Sequence, residues 1–175
     1  MASTQIELNP VTSITTGFIG QPGKRVFYIQ AHGNGDIVTL IVEKQQVEAL
    51  ANGIEQFLDE LHEKFPELDQ APSDFDPARM TLTLPLDPIF RVGQLGLGYD
   101  QERDLLVLMA QEIVVEGREA EETGTARLFA SRTQMRALGA YGLTLVKQGR
   151  PICGNCGQPI DPEGHFCPRR NGHKH

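Results

Sequence analysis

The chain has 175 residues and a mass of 19.3 kDa, of which 39% are hydrophobic and 22% charged, a composition typical of a soluble globular protein of about one domain. It excludes collagen-like, coiled-coil and disordered proteins, and no apolar run is long enough to span a membrane. The net charge of −7 argues against bulk nucleic acid as the main partner. The number of cysteines, three, is odd, which argues against a pure disulfide framework. The start of the chain shows no export signal, so we expect a cytoplasmic protein.

Composition changes near residue 150. Residues 1–150 hold 13 Lys and Arg against 21 Asp and Glu, a net charge of −8, whereas residues 151–175 carry a net charge of +1 and are dense in Cys, Gly and Pro. We therefore predict an α+β domain over 1–150 and a small appended module over 151–175. The module is too short to bury an adequate core, so another element must stabilise it.

The first half of the large domain predicts a hairpin and a helix. Two segments rich in β-branched and aromatic residues flank the sequence His-Gly-Asn-Gly, whose residues tolerate positive φ. They are Arg25–Ala31 and Asp36–Glu43. Apolar residues from Val47 to Phe65 then recur at intervals of three and four, which predicts an amphipathic helix that Pro66 ends.

The second half predicts a similar set of elements after a long loop. Residues 66–88 contain five prolines and read as a loop with one short strand. Ser131 and Gln134 form a capping-box signature at the start of a second helix, in which Gly139 and Gly142 would allow another backbone to approach closely. The predicted strands are Met80–Leu84, a hairpin of Ile89–Tyr99 with Asp104–Val115, and Thr125–Ala130.

A faint internal repeat suggests the architecture. Residues 39–58 align with 127–146 at an offset of 88, strand on strand and helix on helix, with four identities. We therefore predict an α+β fold in which an antiparallel sheet of two hairpins plus a short strand carries two main helices on one face, followed by a C-terminal zinc ribbon. The repeat would divide this domain into two hairpin–helix halves.

The clearest chemical motif lies in the last 23 residues. Cys153 and Cys156 form a C-x-x-C motif followed by glycine, and Cys167 lies eleven residues further on, between His165 and His173. Thiolates at positions i and i+3 of a tight turn can bind one ion, which favours zinc over a redox pair or an iron–sulfur cluster.

The fourth zinc ligand is open between two histidines. His165 lies in a compact second knuckle with Cys167, whereas His173 lies beside the chain end, so His165 is favoured and His173 is the alternative. Three thiolates and one imidazole fill a tetrahedral zinc and leave no position for water or substrate. The order of ligands also departs from the zinc signature of nucleotide deaminases. We predict one structural Zn²⁺ per chain.

Several segments resemble an uncharacterised bacterial family that is best represented in actinobacteria. The segments that carry this resemblance are 20–31, 43–47, 90–98 and the C-terminal 149–172. The resemblance implies a ligand role for His165, since relatives can replace His173 with an aromatic residue. It implies no activity. Because the family is often encoded beside a phosphatidylinositol-kinase-like protein and a histidine-phosphatase-like protein, it suggests these as partners.

Other residues are weaker candidates for a site. The glycines between Gly93 and Gly98 lack the spacing of a nucleotide-binding loop and favour a bulged or tightly packed strand. His32 and His62 have no recognisable nucleophile frame, which favours turn and surface roles. The loop aspartates could supply acid–base groups or bind a hard cation, although such residues are usually solvated. They are Asp69, Asp74, Asp76 and Asp87.

Three hypotheses for function remain. The first is a non-enzymatic adaptor or regulator that binds protein partners and contains structural zinc. The second is an enzyme with phosphate- or nucleotide-related chemistry on the 66–104 loops, which would depend on Asp74, Asp76 and Arg91. The third is a nucleic-acid-binding regulator that uses the small basic cluster near Phe166, formed by Arg169, Arg170 and Lys174.

Overall fold

Seven strands and two α-helices form the part of the chain that the computed structural model describes, which comprises residues 4–21, 23–72, 74–117 and 123–148. The fold is therefore α+β. The strands are β1 (Gln5–Leu8), β2 (Ser13–Ile19), β3 (Val26–Gly33), β4 (Asp36–Val42), β5 (Phe90–Asp100), β6 (Leu105–Glu112) and β7 (Thr125–Ala130). The helices are α1 (Lys44–Lys64) and α2 (Arg132–Lys147), and Pro77–Arg79 forms one 3₁₀ turn.

All seven strands belong to one mixed sheet. Its order is β1-β7-β6-β5-β4-β3-β2, and the pairs β1–β7 and β4–β5 are parallel. The prediction of an antiparallel sheet was therefore wrong for these two pairs. A parallel pair requires a long connection that carries the chain back to the end of the sheet where the first strand began. No local pattern of apolar residues encodes such a connection.

Both predicted hairpins, the strand at 125–130 and both helices are confirmed. The first hairpin turns at Asn34 and Gly35, whose φ angles are 52° and 79°, as a two-residue turn with positive φ requires. The predicted capping box of α2 is present: the Ser131 hydroxyl accepts from the Gln134 amide at 3.0 Å, and the Gln134 side chain accepts from the Ser131 amide at 2.8 Å. Glu43 and Gln46 form the corresponding box at α1.

Three strand assignments differ from the prediction. β1 and β2 were not predicted, because threonines and a glycine in β2 hide its apolar alternation. The segment Met80–Leu84, predicted as a strand, belongs to none. Its backbone instead contacts side chains of the sheet face, since the Met80 carbonyl accepts from Thr15 and the Thr83 amide donates to Gln30.

The sheet curls so that its two edge strands come close together. Leu8 ends β1 and Ser13 begins β2, so five residue steps, about 18 Å of extended chain, must join strands at opposite edges of the sheet. In a flat sheet of seven strands, the two edge strands would lie about 29 Å apart. The linker bonds to both ends of the sheet: the Val11 amide donates to the Phe129 carbonyl at 2.7 Å and the Thr12 amide to the His32 carbonyl at 2.6 Å.

The chain contains two stretches with the same order of elements. The first unit is β2-β3-β4-α1 and the second unit is β5-β6-β7-α2, each an antiparallel meander followed by a helix. The helices cross at equivalent positions. Gly139 follows Ala51 by 88 residues, the offset of the repeat, and a Cβ added at Gly139 would lie 3.3 Å from the Ala51 Cα. A twofold relation requires such contact between equivalent residues. Gly139 therefore permits the close backbone approach that the sequence predicted, whereas a Cβ added at Gly142 would meet the side chains of Val47 and Thr16 at 2.9 and 3.4 Å.

The two faces of the sheet differ in what covers them. The inner face packs against α1 and α2 and forms the main core. Its fully buried side chains include Ile29, Leu40, Leu106, Leu108 and Leu128. The outer face carries the alternate residues of each strand. No helix among the described residues is long and apolar enough to cross a membrane.

Candidate functional site

The predicted zinc ligands lie outside the described residues. These are Cys153, Cys156, His165 and Cys167, with His173 as the alternative, and the basic cluster of the nucleic-acid hypothesis lies in the same segment. Within residues 4–21, 23–72, 74–117 and 123–148, no three His, Cys, Asp or Glu side chains could together hold a metal ion. The zinc site therefore stays a prediction from the sequence.

Residues 66–88, which we call the strap, follow α1. The strap accepts hydrogen bonds from α2 at Asp69 and Ala71 and lies against the outer face of the first unit at Met80–Thr83. Leu82 of the strap lies against Gly17 in β2, where an added Cβ would come within 2.6 Å of the Leu82 Cγ. The Thr15 hydroxyl donates to the Met80 carbonyl at 2.7 Å. A side chain larger than hydrogen at position 17 would therefore displace the strap.

Gln30, at the centre of this face, binds the strap backbone. Its side-chain carbonyl accepts from the Thr83 amide at 2.7 Å, and its amide nitrogen lies 3.1 Å from both the Thr83 carbonyl and the Thr39 hydroxyl. Gln30 is only 1% exposed and Thr39 only 2%. These buried polar groups are retained because each is hydrogen-bonded.

The outer face of the second unit forms a shallow concavity of about 480 Å³, which we call the trough. Gly96 forms part of its floor, and the Met109 methyl group lies 3.6 Å from the position of an added Gly96 Cβ, which is ordinary van der Waals contact. The outward-pointing residues that line it are Gln94, Gly96, Met109, Gln111, Thr125 and Arg127. Val107 and Phe129 continue the same face beyond the trough as apolar side chains outside the main core.

An exposed apolar run follows β6. Ile113, Val114 and Val115 are 40%, 52% and 47% exposed. The Ile113 amide donates to the Arg91 carbonyl at 2.8 Å, so the run begins in a fixed position beside β5. Scattered exposed apolar residues are common, but three in succession form a patch suited to a partner.

Two arginines one turn apart on α2 tie the start of the strap to the helices. Arg132 binds both carboxylate oxygens of Asp104 at 2.9 and 3.0 Å and donates to the Asp69 carbonyl. Arg136 binds Glu55 in the same bidentate manner, at 2.9 and 3.0 Å, and donates to the Ala71 carbonyl. Both guanidinium groups are therefore engaged in structural contacts.

The hydrogen bonds around Asp104 shift the pKa values of Asp104 and Tyr99. The hydrogen bond from Arg132 holds the pKa of the Asp104 carboxyl below its usual value. Tyr99 donates to Asp104 at 2.7 Å, and burial together with this hydrogen bond raises the pKa of Tyr99 to about 12. Sequence reasoning missed this cluster because its members are 28 or more positions from Arg132; the only local signal was the i, i+4 spacing of the two arginines.

Two of the three residues of the enzyme hypothesis, Asp76 and Arg91, have separate partners. Asp76 accepts from the Ala78 amide at 3.1 Å and lies 3.8 Å from Arg79, whereas Arg91 pairs with Glu43 at 2.9 Å. Asp69, with His62 and Asp59, lines a small cavity of about 50 Å³ between α1 and the strap. These contacts stabilise turns, helix starts and the strap.

Two further candidates have structural roles. His32 makes a 3.1 Å hydrogen bond with the Thr83 hydroxyl of the strap. The glycine segment is a bulged strand, as predicted, because the register shifts between Val92 and Gln94. A Cβ added at Gly93 would lie 2.8 Å from the Ile113 Cα, so this position requires glycine.

The fold and its surfaces define a two-layer α+β protein with a curled mixed sheet made of two similar units. Residues 6–167 match the model of the family described as Protein of unknown function (DUF3090), and the chain belongs to this family. The match ends at Cys167, the last of the predicted zinc ligands. Searches of curated proteins and of solved structures found no match.

Proposed function

We propose that the protein is a non-enzymatic adaptor that binds a protein partner and contains one structural zinc ion. The observation that carries the proposal is the exposed apolar run at Ile113, Val114 and Val115. An apolar run beside a defined strand offers a partner a preformed surface, so little conformational entropy is lost on binding.

The charge of the molecule indicates the chemistry of the partner. The first 150 residues carry a net charge of −8, and Glu116 follows the apolar run directly. An apolar patch with an acidic border is complementary to an apolar patch bordered by Lys or Arg. The first candidates are the phosphatidylinositol-kinase-like and histidine-phosphatase-like proteins that the family resemblance suggested.

The zinc ion would stabilise the module at 151–175. Cys153, Cys156, His165 and Cys167 form a Cys₃His donor set that suits tetrahedral Zn²⁺. When bound, the ion contributes about 10–16 kcal/mol of folding free energy, which can replace the missing core. Because all four positions are filled by protein ligands, the ion has a structural role. A reducing cytoplasm would keep these thiolates free for zinc.

Affinity capture of the full-length chain tests the adaptor function. A partner should be captured in near-stoichiometric amount by the wild-type chain and at least tenfold less by Val114→Glu, because the carboxylate would be buried against an apolar surface. Leu84→Glu is the matched control, since Leu84 is a 67% exposed apolar residue on the strap; it should capture as the wild type does.

Two outcomes would contradict the proposal. One is undiminished capture by Val114→Glu in a sample whose circular dichroism and melting temperature match the wild type. The other is the absence of any partner at near-stoichiometric amount on the wild-type chain, tested against both candidate proteins in purified form.

A further inference from the structure

The outer faces of the two units are equivalent position by position. In the first unit, Gly17 pairs with Tyr28, which pairs with Ile41. In the second unit, Gly98 pairs with Val107, which pairs with Phe129. Since Phe129 follows Ile41 by the same offset of 88 that relates the helices, Gly98 is the counterpart of Gly17.

The first of these two glycines has an occupant. Leu82 of the strap fills the space that a side chain at Gly17 would take, with its Cγ 2.6 Å from the position of an added Cβ. At Gly98 the nearest atoms to an added Cβ are the Met109 methyl group at 3.5 Å and the Val107 Cβ at 3.9 Å. Among the described residues, no strap-like segment lies over Gly98.

The strap is the segment that follows α1, and its counterpart is the segment that follows α2. α1 ends beside the β5–β6 hairpin, where the rings of Phe65 and Tyr99 lie 6.0 Å apart. α2 ends beside the β2–β3 hairpin, where Arg25 donates to the Gln148 carbonyl. Each helix therefore ends at the hairpin of the other unit, and the segments that follow start from equivalent places.

The C-terminal segment is long enough and has suitable chemistry. The strap takes 15 positions from Phe65 to reach Met80 on the outer face, and 27 residues follow Gln148. They include apolar side chains at Ile152, Ile160 and Phe166. The net charge of +1 over 151–175 is complementary to the acidic body of the protein.

We propose that residues 149–175 cross the outer face of the second unit over the trough and place an apolar side chain against Gly98 beside it, as Leu82 does against Gly17. The occupant is this chain's own C-terminus. The proposal does not rest on the adaptor function or on zinc, since it follows from the relation between the units. It would hold the C-terminal module against the body.

Site-specific photo-crosslinking of the full-length chain tests the docking. Gln111 is replaced by p-benzoylphenylalanine, which puts the reactive ketone at the rim of the trough, and the 67% exposed Leu84 on the strap of the first unit receives the same group as a control. After irradiation and digestion, mass spectrometry should find crosslinks from position 111 to residues 149–175 of the same chain, and at least tenfold fewer from position 84.

Adding bulky side chains in the trough and beside it should release the segment. Gly96→Leu and Gly98→Leu, each made in the Gln111 photo-probe background, should lower the crosslink to 149–175 about tenfold, whereas Gln56→Leu on α1 should leave it unchanged. The two glycine variants provide independent tests if one of them folds poorly. Crosslinks from position 111 only to a second copy, only to residues 4–148, or to none of the chain would overturn the proposal, as would an unchanged yield in both folded glycine variants.

Discussion

At the centre of the two outer faces, one unit carries a buried polar residue where the other carries an exposed apolar residue. Gln30 and Met109 correspond, and so do Thr39 and Arg127. On the covered face the polar Gln30 is 1% exposed, whereas on the other face the apolar Met109 is 39% exposed. The comparison shows that the strap determines which residue suits this position, because the strap backbone at Thr83 requires a polar partner. Where backbone covers a sheet, polar side chains must satisfy it.

On the inner faces, in contrast, equivalent positions of the two units carry identical or similar residues. Leu40 and Leu128 correspond, are identical and are both fully buried. Ala51 and Gly139 correspond and touch at the helix crossing. Because both inner faces pack against helices, the same packing requirement acts on both units. The relation between the units is therefore clearest in the core and weakest where the covering segments differ.

Replacing Gln30 should produce the largest difference in stability between the two units. Gln30→Met removes the partner of the Thr83 amide and carbonyl, and we expect it to lower the free energy of unfolding by about 2 kcal/mol. Met109→Gln, at the equivalent exposed position, should change it by less than about 0.5 kcal/mol. Urea unfolding followed by circular dichroism measures both. Equal losses in the two variants would contradict the role assigned to the strap.

The two glycines should give a smaller difference of the same kind. Gly17→Ala places a Cβ within 2.6 Å of Leu82, and we expect a loss of about 1–2 kcal/mol from the displaced side chain. In a Leu82→Ala background, Gly17→Ala should cost much less, because the side chain that it displaces is gone. Gly98→Ala meets only ordinary contacts within the described residues, so we expect a smaller loss there, which arises from the C-terminal side chain that we propose lies against Gly98. A destabilised Gly98→Ala beside a neutral Gly17→Ala would reverse the expected order.

Local patterns predicted the elements that pack on the core. The periodicity from Val47 to Phe65 and the capping box at Ser131 predicted α1 and α2, because burial of one face and satisfaction of the first amides are short-range requirements. The hairpin at Asn34 and Gly35 followed from residues that tolerate positive φ.

Elements that depend on distant partners were not predictable in this way. β2 contains buried Thr15 and Thr16, which read as surface residues until the strap and the Tyr28 carbonyl are known as their partners. The parallel pair β4–β5 depends on the route of the strap between them. The Asp104–Arg132 pair joins a hairpin to a helix start, and neither local sequence contains the other. The exposed run after β6 was visible only as part of a predicted strand.

The proposed function includes one structural zinc ion at the clearest chemical motif of the sequence, and native mass spectrometry of the full-length chain tests that site. The account predicts close to one zinc ion per chain in the wild type and its loss in Cys153→Ser. It also predicts much weaker retention in His165→Ala than in His173→Ala, because His165 is the favoured fourth ligand. A wild-type chain without zinc, or a Cys153→Ser chain with unchanged zinc content, would contradict the account.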